Sequence, residues 1–213
     1  MCIQETKIAN YDEVTLATGH KLVLLQQKTA KHHGLGFVIS PRLIPHIRSW
    51  WYISDRVAAI EVSIPSSRGK PTLCRIVNAY GPTLQRASED PSLLDGFYAE
   101  LSNAVTTPSR FQVYVCGDFN SKLGTLTSED EEIGLSCCMG VHGKDKRNSN
   151  GDALLQFLIQ HGLFACNTAL EHPSRHKTTW TGWIPHPSSP TASLPVYNQI
   201  DYILCKQTSI CLF

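Results

Sequence analysis

Apolar residues recur along this chain in short runs, and the spacing inside each run indicates its element. From Val57 to Ile64, Ile60, Val62 and Ile64 point one way and Glu61 and Ser63 the other, the alternation of a half-buried strand. Leu73–Tyr80 reads as another strand, halted by Gly81-Pro82. Val113–Cys116 is a continuous apolar run of the buried-strand type and stops at Gly117-Asp118-Phe119-Asn120. Met1–Glu5 reads as the end of a strand with polar residues at its tip, and Lys21–Gln27 and Leu35–Ser40 add two short apolar runs. Helical spacing takes over at Leu94, Phe97, Leu101, Ala104 and Val105, behind Asp90 as N-cap and Pro91 in the first turn. A second helix is expected over about Asp152–His161, with Gly162 as its stop. Phe164–Asn167, Thr178–Trp183 and Val196–Leu204 complete a strand-rich second half. Residues 121–148 read as a long loop, and the Pro- and Ser-rich stretch Ile184–Pro195 as a surface loop. Strands interrupted by two helices predict an α/β layered fold with mixed sheets rather than a doubly wound parallel one.

Composition narrows this picture modestly. With 213 residues and 42% hydrophobic content, the chain suits one domain with a real core. A net charge of +1 gives no strong field for steering onto nucleic acid, so any DNA contact must rest on local patches, a metal ion and shape. None of the eight cysteines forms a C-x-x-C pair, and none has zinc-site spacing with histidine. They read as small hydrophobes in a reducing compartment. No run approaches the ~20 apolar residues of a membrane helix, and no targeting signal is evident. The expectation is an intracellular location, the nucleus included, with no membrane partner.

Chemistry-bearing residues sit repeatedly where an apolar strand ends. Glu5 ends the first, Asn78 and Tyr80 the strand before Gly81, and Asp118 and Asn120 the strand from Val113, while Asp201 interrupts Ile200–Leu204. If these tips converge, three carboxylates share one site, and their repulsion calls for a cation or a shifted pKa. Oxygen-only ligands favour a hard ion such as Mg²⁺, which also suits phosphate ester chemistry.

Gln4-Glu5-Thr6, Asn78-Ala-Tyr-Gly-Pro-Thr83, Gly117-Asp-Phe-Asn120 and Asn198-Gln-Ile-Asp-Tyr-Ile-Leu204 occur in that order. Together they resemble the endonuclease/exonuclease/phosphatase superfamily. That resemblance implies a two-sheet α/β sandwich with helices on its outer faces, and phosphoester cleavage with Mg²⁺ or Mn²⁺. Asn148-Ser-Asn-Gly151, Leu154-Leu-Gln-Phe157, His161-Gly-Leu163, Asn167-Thr168 and Thr179-Trp180 look more narrowly like the apurinic-type endonucleases of LINE (non-LTR) retrotransposons and like domesticated relatives of the craniofacial development type. The resemblance covers residues 1–206, taken as the domain, and 207–213 reads as a tail outside the family pattern. It implies Glu5 as the metal-binding glutamate and Asp118 as the aspartate that polarises the attacking water and touches the metal. It implies Asn120 on the scissile phosphate, Tyr80 in contact with phosphate, and Asp201 orienting a catalytic histidine. Asn78 and Thr179 are looser substrate-binding candidates. DNA is the implied partner, and a full-length element would also encode a reverse transcriptase.

Two parts of the family pattern fall outside this sequence. These are an apolar strand ending in a metal-site asparagine, upstream of the glutamate, and a late Ser-Asp-His strand. The expectation is therefore a fold incomplete at both termini, with marginal stability and little or no activity. None of the nine histidines is expected to be catalytic. Lys144, Lys146, Arg147, Arg175 and Lys177 suit either a DNA backbone groove or a solvated charge run. Trp50-Trp51 reads as core or edge packing. Two rival functions stay open: a phosphoinositide or nucleotide phosphatase of the same superfamily, and a non-catalytic retroelement relic.

Overall fold

The computed structural model describes residues 1–8, 12–25, 34–66, 69–108, 110–186 and 189–206. In chain order the first half holds β1 (Cys2–Ile3), β2 (Asp12–Thr15), β3 (Lys21–Leu25), β4 (Leu35–Ile39), β5 (Ile47–Tyr52), β6 (Val57–Ile64), β7 (Thr72–Tyr80), α1 (Leu84–Glu89) and α2 (Ser92–Val105). Then follow β8 (Phe111–Asp118), α3 (Ser128–Glu132), α4 (Ser149–His161), β9 (Leu163–Ala165), α5 (Ser174–Lys177), β10 (Trp180–His186), β11 (Ser189–Asn198) and β12 (Asp201–Lys206).

The strands form a four-stranded sheet in the order β1-β4-β3-β2, a six-stranded sheet in the order β5-β6-β7-β8-β12-β9, and the hairpin β10-β11. Within the larger sheet, β7 and β8 run parallel and their neighbours pair antiparallel. This is a two-sheet α/β sandwich. One core lies between the sheets, where Val23, Leu35 and Phe37 meet Ala58, Ile60 and Val62. The other lies outside the six-stranded sheet, where Val57, Ala59, Val77 and Val115 are covered by Phe97 and Leu101 of α2 and Leu154 and Leu158 of α4. The first half of β6 is thus buried on both faces, while Glu61 is neutralised by Arg75, 2.7 Å away. The same guanidinium donates to the carbonyls of Ala104 and Thr106 at the end of α2, where the helix leaves acceptors unpaired.

Several expectations change at the element boundaries. The 121–148 loop contains α3, a single turn set by a capping box in which Thr127 and Asp130 satisfy each other's backbone N–H. The stretch Ile184–Pro195 is not a loop: β10 and β11 pair across it from Trp180↔Asn198 to His186↔Ser189. The apolar run Val196–Leu204 divides at Gln199-Ile200, so its two halves serve different sheets. Trp50 and Trp51 lie on the edge strand β5 and pack one on each core. The tail 207–213 lies outside the described residues.

Candidate active site

Strand register brings the polar tips together. Tyr80 pairs with Asp118 across β7 and β8, and Asp118 pairs with Asp201 across β8 and β12. The three residues therefore stand side by side on one sheet face at the ends of adjacent strands. Glu5 reaches this row from the other sheet: the Tyr80 hydroxyl donates to its Oε1 at 2.5 Å. Glu5 holds a backbone φ of 53°, a left-handed conformation that costs a non-glycine residue energy. Lys7 stands 3.9 Å from the same carboxylate, in solvent.

Electrostatics follow from this crowding. Burial pushes the Asp118 carboxyl up to about 7 against an N–H donated by Asn120, and the charges of Asp201 and Glu5 push the same way. Burial also raises Asp201, opposed by a hydrogen bond with Thr179. Tyr80 is held above the usual phenol range by burial first and then by its bond to Glu5, so it stays a donor. Arg56, itself nearly buried, packs its guanidinium 5.5 Å from the Tyr80 ring and donates to the Tyr80 carbonyl at 3.1 Å.

The turn after β8 is held from several sides. Asn120 adopts φ 49°, accessible to asparagine at low cost, while its backbone N–H bonds Asp118 Oδ1 at 2.8 Å. Its side-chain amide donates to the Gly81 carbonyl at 3.0 Å. Gly81 itself lies so close that a Cβ there would stand 2.4 Å from the Phe119 carbonyl oxygen. The start of α4 completes the clamp: Asn150 donates to the carbonyls of Pro82 and Asn120, and Asn148 accepts from Lys122 and Gly151. These two asparagines belonged to a recognisable sequence motif, yet their role as braces depends on α4 docking against that turn.

Asn78 and Thr179 are placed differently from the rest. Asn78 is fully buried, its amide donating to the carbonyls of Ile3 and Gly36 and its oxygen accepting from Gln4 at 2.6 Å. It ties β1 and β4 to β7 and so sets where Glu5 emerges. The Thr179 hydroxyl accepts from the backbone N–H groups of Ile200 and Asp201 and shapes the Asp201 turn. Of the basic residues, Arg147 turns inward to a paired bond with Asp130 at 3.1 and 2.8 Å. Lys144 and Arg175 instead line a cavity of about 540 Å³ with Thr178, Thr181 and Tyr197, beside the β10–β11 hairpin.

No protein-family model matches the chain, and no curated protein matches it in sequence. Among solved structures, the catalytic domain of Xenopus laevis APE2 superposes with a TM-score of 0.59 at 14% identity, over 98% of this chain and 74% of that one. The chain has the endonuclease/exonuclease/phosphatase fold. Weaker matches are the human Nocturnin catalytic domain with bound sulfate, at TM-score 0.42 and 12% identity over 97% of this chain and 68% of that one, and an endonuclease/exonuclease/phosphatase family protein from Bacteroides thetaiotaomicron, at 0.34 and 13% over 93% and 61%.

Within this fold, the carboxylate row is the chemistry of interest. Among the described residues no three His, Cys, Asp or Glu side chains form a ready-made metal cage. Glu5 and Asp118, close enough for the charge of one to act on the other, are the two carboxylates that could hold a hard divalent ion there.

Proposed function

We propose that this chain is a Mg²⁺- or Mn²⁺-dependent DNA endonuclease domain of a LINE-type retrotransposon or of a host gene derived from one. The observation that carries the reading is the row Tyr80–Asp118–Asp201 on three adjacent strand tips, with Glu5 bound to its end. Glu5 and Asp118 would hold the ion, which when bound supplies positive charge to the oxygens of a phosphodiester.

The protein's own groups carry the remaining steps. Asp118, with a carboxyl that exchanges its proton near neutrality, accepts a proton from the attacking water and aligns it. The Asn120 amide, fixed by the Gly81 carbonyl, is a neutral donor for phosphate oxygens, and the Tyr80 hydroxyl becomes a second when its one proton turns from Glu5 to the phosphate. Asp201, braced at its backbone by Thr179, supplies a carboxylate that orients a proton-carrying group.

Support for a nucleic-acid substrate comes from the flank. Lys144 and Arg175 stand beside Tyr197, and Trp183 on the same hairpin is 70% exposed. Cations interleaved with open aromatic faces suit a polyanion that carries stacked bases.

The test is supercoiled plasmid nicking by purified chain with Mg²⁺, run beside phosphate release from inositol lipids and nucleotides. Expected is little or no nicking, any that occurs leaving a 3′ hydroxyl, requiring the metal and disappearing in Glu5→Ala. Phosphate release without nicking would overturn the assignment.

A further inference from the structure

Five basic residues lie in the sequence between positions 144 and 177, and the fold treats two of them differently from the rest. Arg147 turns onto Asp130, and Lys146 and Lys177 stand outside the cavity lining that Lys144 and Arg175 share beside the β10–β11 hairpin. Lys144 precedes α4 and Arg175 lies on α5, so separate parts of the chain supply the pair. Several other cations in this fold are matched by acids: Lys21 by Glu13, Arg75 by Glu61 and Arg147 by Asp130. Among the described residues Lys144 and Arg175 form no salt bridge. The half-buried Lys144 ammonium bonds the Thr178 hydroxyl at 3.0 Å and stands 5.8 Å from the Tyr197 ring, both neutral groups. Arg175 gives its Nε–H to the His176 ring at 3.1 Å, which leaves its terminal nitrogens for another acceptor. Two positive charges on one cavity repel each other unless an anion stands between them.

We propose that this cavity is a second phosphate site, which holds a phosphodiester of the substrate strand other than the one that is cut. The inference rests on the reading of the chain as a nuclease and adds a binding site to it. Lys144 and Arg175 donate to the non-bridging oxygens of one phosphate, an ammonium from one side and the flat guanidinium fork from the other. The Thr178 hydroxyl gives its own proton to the Ser174 carbonyl, so its oxygen accepts from Lys144 and holds that ammonium in place. Thr181 and Tyr197, paired across β10 and β11, form the hairpin wall of the cavity. At about 540 Å³ the cavity has more room than a bare phosphate fills, and Tyr197 is 50% exposed. That ring suits the sugar or base attached to the phosphate.

The cavity is tied to the carboxylate row through one residue. Thr178 lines the cavity, and the next residue, Thr179, accepts from the backbone N–H groups of Ile200 and Asp201 at 3.0 and 3.2 Å. One peptide unit, about 3.8 Å, thus separates the cavity wall from the residue that sets the Asp201 turn. Phosphates along one strand of a duplex advance by about 3.4 Å each, so the two sites are matched to phosphates a few nucleotides apart on the same strand. A strand held in the cavity is gripped at a second point, and that grip fixes which phosphodiester lies at Glu5 and Asp118.

The experiment measures binding of a fluorescent DNA oligonucleotide to the full chain by anisotropy, in chelator and over a series of salt concentrations. Expected is a loss of about fivefold to tenfold in affinity for Lys144→Ala and for Arg175→Ala, with a salt dependence shallower by about one phosphate contact. The double variant should lose little more than either single one, because both side chains hold the same phosphate. Lys146→Ala and Lys177→Ala should change the affinity less than about twofold, as exposed charges outside a built site do. Lys144→Gln and Arg175→Gln repeat the measurement with longer neutral side chains, so a folding defect in an alanine variant does not decide it. The inference is overturned if the wild-type chain does not bind the oligonucleotide, if all four positions contribute equally, or if the losses at Lys144 and Arg175 simply add. It is also overturned if inorganic phosphate alone, measured by calorimetry, binds through Lys144 and Arg175 more tightly than the oligonucleotide does. None of these readouts uses the metal or Glu5. Phosphate release without nicking would remove the nuclease reading, while binding that depends on Lys144 and Arg175 would keep the phosphate site.

Discussion

Asp118 stands between two other carboxylates and is largely shielded from water, which holds its proton up to pH about 7. In the unfolded chain the same group ionises near 3.8. A carboxyl raised in this direction favours the folded state only while it is protonated. Its contribution is complete below about pH 4 and is lost as the pH rises through about 7. Asp201, also raised by burial, adds a slope of the same sign. In chelator, the denaturation midpoint should therefore fall across this window. Asp118→Asn, which mimics the protonated form, should flatten part of that fall; equal slopes in the two proteins would contradict the assignment. The identity of these residues was legible from sequence because each interrupts or ends an apolar run. The role of Asn78 was not. A strand-tip amide looks the same whether it faces a cleft or a neighbouring backbone, and here its N–H groups bond the carbonyls of β1 and β4 and its oxygen the Gln4 side chain.

Elements with an apolar face were readable, and elements without one were not. β6, β7, β8, α2 and α4 have enough spaced apolar residues to reveal their period, and their bounds differ from expectation by a few residues. The five-residue α3 is polar on nearly every side and depends on its capping box, so periodicity could not reveal it. The β10–β11 hairpin carries proline and serine because it is a two-stranded ribbon outside both sheets, where a strand need not fill a core. The start of α4 gives a direct check on the docking that shapes the site. A Cβ at Gly151 would stand 1.9 Å from the Lys122 carbonyl oxygen. Gly151→Ala must push α4 from the turn after β8, with an expected loss of about 2 kcal/mol or more, in the range of core overpacking. Chemical denaturation measures it, and a change below ~0.5 kcal/mol would show that α4 does not clamp that turn.

Across the whole molecule, the site exists because two sheets meet at one edge. Glu5 follows β1 of the four-stranded sheet, whereas Asp118 and Asp201 lie on the six-stranded one, so neither sheet alone supplies all three carboxylates. Sequence order and strand ends indicated which residues to suspect, and only the packing of sheet on sheet fixes that Glu5 meets Tyr80. The central claim is that this meeting point is one divalent-metal site. Calorimetric titration of the full chain with Mn²⁺ at pH 7.5 (about neutrality, where Asp118 is largely ionised) tests it most directly. The account predicts one ion per chain, with affinity falling at least about tenfold in both Glu5→Ala and Asp118→Asn, a loss of about 1.4 kcal/mol or more in each. Binding that is absent from the wild-type chain, or unchanged in either variant, would contradict it.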